Sequence, residues 1–126
     1  EARGVPQNLA GTLNPAKARH NLDDMRRGAQ RADVELKMPA GHPMRTVEAL
    51  RCVLAAGIPM KLIHRIYRAY WVENVEVSDR QVLARLLTEV GLDADEVLAR
   101  AESSEIKEAL RRRTDEAVAR GIFGVP

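Results

Sequence analysis

Gly121-Ile122-Phe123-Gly124-Val125-Pro126 closes the 126-residue chain, directly after a stretch rich in Arg, Glu and Ala. A glycine following a helical pattern supplies the left-handed residue on which many helices stop, and a proline a few residues later cannot continue one. Taken alone, the hexapeptide is a helix exit. The residues before it, Ser104 to Arg120, place Ile106, Leu110, Ala117 and Val118 on one face and Lys107, Glu108, Arg111 and Arg112 on the other, which predicts the last helix.

Working upstream, the same logic recurs. Asp93 and Glu96 have capping-box spacing for a short helix ending near Ala101. Ser78 and Gln81 repeat that spacing before Val82, Leu83, Leu86, Leu87 and Val90, a strong apolar stripe ended by Gly91. Ile58-Pro59 predicts a helix start with Leu62, Ile63, Ile66 and Tyr70 inward, and Tyr67, Tyr70 and Trp71 gather three of the four aromatics. Met44, Val47, Leu50 and Leu54 form another stripe, stopped at Gly57. Val34 to Met38 alternates apolar and polar and meets Pro39, Gly41 and Pro43, an extended passage and a turn. Asn14-Pro15 opens a helix to about Arg31, whose sparse apolar positions Ala18, Leu22, Met25 and Ala29 place it on a surface. Gly4 to Leu13 has no period and is expected to be a connecting loop.

Five or six helices without a strand make the chain mainly α, a five- to six-helix bundle. Its core is expected to contain Leu50, Leu54, Leu62, Ile66, Leu83, Leu86, Leu87, Ile106 and Leu110. One such core suffices for 126 residues, which can bury roughly two thirds of the unfolded surface.

Hydrophobic residues make up 45% and charged residues 30%, and no apolar run approaches the roughly 20 residues needed to span a bilayer, so neither a disordered tail nor a membrane protein is indicated. The 20 basic and 18 acidic residues interleave to a net charge of +2. Arg111-Arg112-Arg113 is bracketed by Glu105, Glu108, Asp115 and Glu116 at ion-pair spacing, with no interleaved aromatic for base stacking. A salt-bridged face is therefore expected there, and no nucleic acid partner. Cys52 is the lone cysteine, which excludes an internal disulfide; with three scattered histidines no metal site is expected, and Cys52 is read as a small buried hydrophobe. A reducing cytoplasm fits this usage. The chain opens on Glu1-Ala2-Arg3-Gly4 without an initiator Met or a signal core, and its ends look cut.

Several stretches occur in a telling order: Asn14-Pro15-Ala16-Lys17, then Thr46-Val47-Glu48-Ala49-Leu50-Arg51, Tyr67-Arg68-Ala69-Tyr70-Trp71, Val77-Ser78-Asp79, Gly91-Leu92-Asp93-Ala94, Thr114-Asp115-Glu116-Ala117, and the terminal Gly-Ile-Phe-Gly-Val-Pro. This succession resembles the helical insertion of the 2-hydroxychromene-2-carboxylate isomerases and kappa-class glutathione transferases, in the DsbA-like branch of the thioredoxin superfamily. The resemblance covers essentially the whole chain. It implies residues 1–13 as a connection from a thioredoxin-like α/β domain, 14–120 as the inserted helical domain, and 121–126 as the return through a cis-proline motif. The catalytic Ser, on a helix N-terminus, would then lie upstream, with no catalytic residue in this chain.

Glutathione is the implied cofactor. The resemblance puts Val125 before a cis Pro126, its backbone facing the tripeptide. Lys17 matches a Pro-x-Lys pattern and would offer a point charge to a carboxylate. Asn8 is placed by spacing alone, since Gly4-Val5 stands where the family has Gly-Asn; an ordinary loop Asn is the alternative. His20 takes a position where the family often carries Tyr, against an exposed helical His. Trp71 is either a core residue closing a helix face or a flat wall for an aromatic substrate. His42 and His64 are assigned no role.

The leading expectation is a glutathione-dependent isomerase of 2-hydroxychromene-2-carboxylate or a related small aromatic acid, working as a homodimer. By the resemblance, the helix terminus stabilises a glutathione thiolate, whose addition makes a double bond rotatable. The alternatives are a DsbA-like thiol oxidoreductase, a kappa-like glutathione transferase, or a stand-alone helical interaction domain.

Overall fold

The computed structural model describes residues 14–122. The connection expected over residues 1–13 and most of the return segment 121–126 fall outside them. Among the described residues there are six α-helices and one π-helical turn, as the bundle expectation requires, and no strand.

Helix α1 (Pro15–Arg31) starts as its sequence dictates: Asn14 Oδ1 accepts the Ala16 N–H at 2.8 Å and Pro15 takes the first position. It ends on Asp33 at φ 51, one of the residues that tolerates the left-handed region. None of its residues is buried. An extended passage leads to α2 (Val47–Ala55), closed by Gly57 at φ 81. Ile58 then takes φ 60, an unusual conformation for a β-branched residue, and its N–H bonds Val53 O at 2.8 Å. Helix α3 (Met60–Arg68) has Pro59 as its N-cap, so it begins one residue later than a proline in the first helical position would give.

The π-helical turn (Ala69–Glu73) continues directly from α3 and stops at Asn74, φ 55. Helix α4 (Arg80–Glu89) is capped by Asp79, not by Ser78 as the spacing suggested. The Asp79 carboxylate accepts from the Gln81 and Val82 N–H groups at 2.7 and 3.0 Å, while the Ser78 hydroxyl donates to Glu76 at 2.7 Å. A charged acceptor next to the helix dipole is the stronger cap. Gly91, φ 74, closes α4. Helix α5 (Ala94–Ala101) begins where Asp93 Oδ1 accepts the Glu96 N–H at 2.9 Å, and α6 (Ser104–Ala119) behind the Ser103 hydroxyl.

Helix α2 packs across α5 and α6, and α4 against α5 and α3. Of the expected core, Leu62, Leu83, Leu86, Leu87 and Ile106 are buried; Leu54 and Ile66 pack at its edge, and Leu110 is half-buried. Leu50 is not core: it is 48% exposed. The buried face of α2 is Ala49, Cys52 and Ala55, whose small side chains let the helix lie close to α5 and α6, and this leaves Leu50 toward solvent. Cys52 is buried as expected.

Arg65 ties three elements together, with Nη2 3.0 Å from Glu73 and Nε 2.6 Å from Glu89. Burial disfavours its charge, but the hydrogen bonds to Glu89 and Glu73 outweigh that and hold the guanidinium more firmly protonated. The salt-bridged face expected around Arg111-Arg112-Arg113 is not formed with Glu105, Glu108 or Glu116 among the described residues; Glu116 pairs with Arg120 instead. Exposed guanidinium groups gain little from pairing when water solvates them equally well.

Candidate functional site

The aromatic cluster begins with the sequence neighbours Tyr70 and Trp71 inside the π-helical turn, their ring centroids 4.6 Å apart. π-Helical turns are rare and frequent at functional sites. His42 joins them from the extended passage, 5.2 Å from Trp71 and 6.0 Å from Tyr70, the latter edge to face. Tyr70 is nearly buried, and its hydroxyl accepts the Met44 N–H at 2.9 Å while lying 2.8 Å from His42 Nδ1. The Tyr70 hydroxyl can donate to Nδ1 or accept from it, according to the imidazole tautomer.

Two further bonds stitch the same passage to the turn. The Lys37 N–H donates to Trp71 O at 2.7 Å. With its amide oriented to satisfy its surroundings, Asn74 donates back to Lys37 O at 2.9 Å and to Tyr70 O at 3.3 Å. The π-helical turn thus pairs the backbone N–H and C=O of Lys37 much as a neighbouring strand does in a sheet. Trp71 is thereby held by its backbone as well as by its neighbours' rings. The bond between His42 and Pro43 is cis.

Tyr67 and Trp71 border two cavities. The larger, about 960 Å³, lies between α1, the passage after it and the π-helical turn, and Asp24, Arg31, Asp33, Glu35 and Arg68 face it. Lys37, 2.9 Å from Glu35, holds that carboxyl below its usual range through a hydrogen bond and its charge, so the cavity carries anionic groups. The second, about 500 Å³, lies between α2, α3 and the turn and has no charged lining residue. Both volumes suit small molecules.

Of the residues singled out from sequence, Trp71 is half-buried and lines both cavities, combining the wall and packing roles. His20 is exposed on α1 and lines neither, because α1 turns Met25, Gly28 and Ala29 to the larger cavity. Lys17 is exposed in the first turn of α1, with no ion pair to another described residue. Asn8, Val125 and Pro126, and with them the expected cis bond, lie outside the described residues. Sequence reasoning passed over His42, whose partner Tyr70 stands 28 residues away. The Gly41-His42-Pro43 turn shows no period that would connect it to a helix face.

Cys52 is no nucleophile: burial pushes its thiol up to about 11. Among the described residues no group of His, Cys, Asp and Glu could hold a metal ion, and no helix is long and apolar enough to cross a membrane.

Comparison with known proteins places the site in context. The family model described as DSBA-like thioredoxin domain matches residues 2–126. A relative named glutathione S-transferase kappa 2, from Caenorhabditis elegans, is 35% identical over 75 residues, covering 59% of this chain and 32% of the relative. The match thus spans about a third of that protein's length.

Proposed function

Because this chain belongs to the DSBA-like thioredoxin domain family, we propose that the complete protein is a glutathione-dependent enzyme, an isomerase of 2-hydroxychromene-2-carboxylate or a related aromatic acid. The observation that carries this reading is the similarity, within that family, to a glutathione transferase of the kappa class. It favours glutathione over disulfide exchange as the chemistry of the site.

One of the proposed glutathione contacts, Lys17, lies among the described residues. The exposed ammonium of Lys17, unpaired among the described residues, has the chemistry to hold a glutathione carboxylate. Asn8 and the backbone of Val125 before Pro126 are the other proposed contacts. Glutathione supplies a thiolate nucleophile, and a serine upstream of Glu1 is the proposed group that stabilises it. The helical domain's part is to present Trp71, locked by His42, Tyr70 and Asn74, as the flat surface against which an aromatic substrate lies. A cytoplasmic homodimer is the proposed setting.

The test is conversion of 2-hydroxychromene-2-carboxylate by the complete protein, followed by absorbance with and without glutathione. Glutathione-dependent conversion is expected from the complete protein and none from the 126-residue chain. Conversion by the short chain, or conversion indifferent to glutathione, overturns the reading. A kappa-type transfer of glutathione to an uncharged aromatic electrophile is the second reading, favoured by the uncharged lining of the smaller cavity.

A further inference from the structure

Away from the aromatic cluster, three cations converge on one carboxylate where α2, the start of α4 and the turn between α5 and α6 come together. Lys107 Nζ lies 2.9 Å from one oxygen of Glu102, the residue that caps α5, and Arg51 Nη1 stands 3.9 Å from the other, beyond hydrogen-bond length. Arg80, the first residue of α4, is exposed and has no hydrogen bond or ion pair to another described residue. Its charge reaches Glu102, whose carboxyl is held below the usual range by the Lys107 hydrogen bond and charge first, then by Arg51 and Arg80; the buried Cys52 beside Arg51 feels the same guanidinium. Glu48, three residues before Arg51, is engaged by Arg45 at 2.8 Å. Three positive charges against the single negative charge of Glu102 therefore leave two uncompensated. Arg51 is the most withdrawn of the three: its side chain is 21% exposed and its Nε is buried without a hydrogen-bond partner. A guanidinium so far out of water and so thinly paired attracts an anion more strongly than one in free solution.

We propose that this cluster is a binding site for a phosphoryl dianion, either free phosphate or the phosphate monoester of a small molecule. A dianion balances both uncompensated charges, whereas a carboxylate balances one of them. Arginine forks and a lysine point charge are the groups that hold phosphate oxygens, and here they stand on three different helices, so a tetrahedral group meets donors from separate directions. Glu102, 54% exposed, can turn to water as the dianion takes over Lys107. None of these residues lines either cavity beside Trp71 or belongs to the proposed glutathione contacts, so the inference stands apart from the isomerase reading.

The test is an NMR titration of the isotopically labelled 126-residue chain with inorganic phosphate, glycerol 3-phosphate and acetate, following the backbone amides of Arg51, Arg80, Glu102 and Lys107. It is run at constant ionic strength near pH 7.5, where a phosphate monoester is a dianion. Both phosphates are expected to shift these amides saturably and to bind at least about tenfold more tightly than acetate. Equal binding of the two assigns the phosphoryl group alone as what is read, and tighter glycerol 3-phosphate assigns an ester. Arg80→Gln and Lys107→Gln, both at exposed positions, should each weaken phosphate about fivefold, the loss expected when one charge contact near the surface is removed. Arg51→Gln should weaken it at least about tenfold. Arg112→Gln, at an exposed position five residues beyond Lys107, removes the same charge from the chain and should leave binding unchanged. Acetate bound as tightly as phosphate, wild-type binding in both Arg80→Gln and Lys107→Gln, or a loss as large in Arg112→Gln overturns the assignment.

Discussion

Replacing Tyr70 by Phe removes one oxygen from a side chain that is only 7% exposed. That oxygen accepts the Met44 N–H at 2.9 Å and stands 2.8 Å from His42 Nδ1. The ring stays, so packing against Trp71 is retained, and the change isolates the two hydrogen bonds. Met44 is half-buried, and its N–H loses its partner in the variant. A buried donor left unsatisfied costs roughly 1–3 kcal/mol, and partial access of water to Met44 puts the expected loss near 1.5 kcal/mol. For a 126-residue chain that lowers the thermal midpoint by roughly 4–8 °C. Urea unfolding followed by Trp71 fluorescence measures it, since no other tryptophan contributes. Tyr67→Phe is the control: Tyr67 is 59% exposed, and its loss should stay within about 0.5 kcal/mol. If Tyr70→Phe is no less stable than Tyr67→Phe, the tie between the 42–44 turn and the π-helical turn does not hold the site together, and the proposed locking of Trp71 fails with it.

Leu86, fully buried in α4, should cost roughly 2–5 kcal/mol when changed to Ala, because the packed neighbours close only part of the cavity; a thermal midpoint equal to wild type would contradict its place in the core. Cys52 should react with a thiol reagent in the native chain only as fast as the bundle opens, and at once in urea; immediate native labelling would contradict its burial. Its folded-state pKa is raised from 9.0 to about 11, so the stability it contributes is present below pH 9 and lost as pH rises toward and through 11; Cys52→Ala should flatten that part of the stability profile, and an unaltered slope would count against the shift. Arg65→Met severs the links to Glu73 and Glu89 and should cost roughly 1–3 kcal/mol, with a smaller dependence on salt than the wild type; equal salt dependence would show that the network contributes nothing.

Sequence alone determined whatever is decided within one turn of the chain. The Asn14-Pro15 start of α1, the Asp93 cap of α5 and the glycine stops at Gly57 and Gly91 follow from bonds and backbone angles spanning at most a few residues, so residue type and spacing are enough. The stripe of Leu83, Leu86 and Leu87 was equally legible, since α4 buries its most apolar face. The capping residue of α4 was not, because Ser78 and Asp79 compete and only the folded turn shows the serine drawn to Glu76. Tertiary structure decided the rest. Leu50 faces solvent because α5 and α6 meet α2 on its small residues, a choice made by the partners and not by the helix itself. The π-helical turn and the gathering of His42, Tyr70 and Trp71 depend on a passage brought back from 28 residues away, and no local period encodes a contact between groups that distant in the chain. The split of the space around Trp71 into a charged and an uncharged cavity arises the same way: α1 carries its charges to one side of the ring while α2 and α3 bring none to the other, and their relative placement is fixed by packing alone.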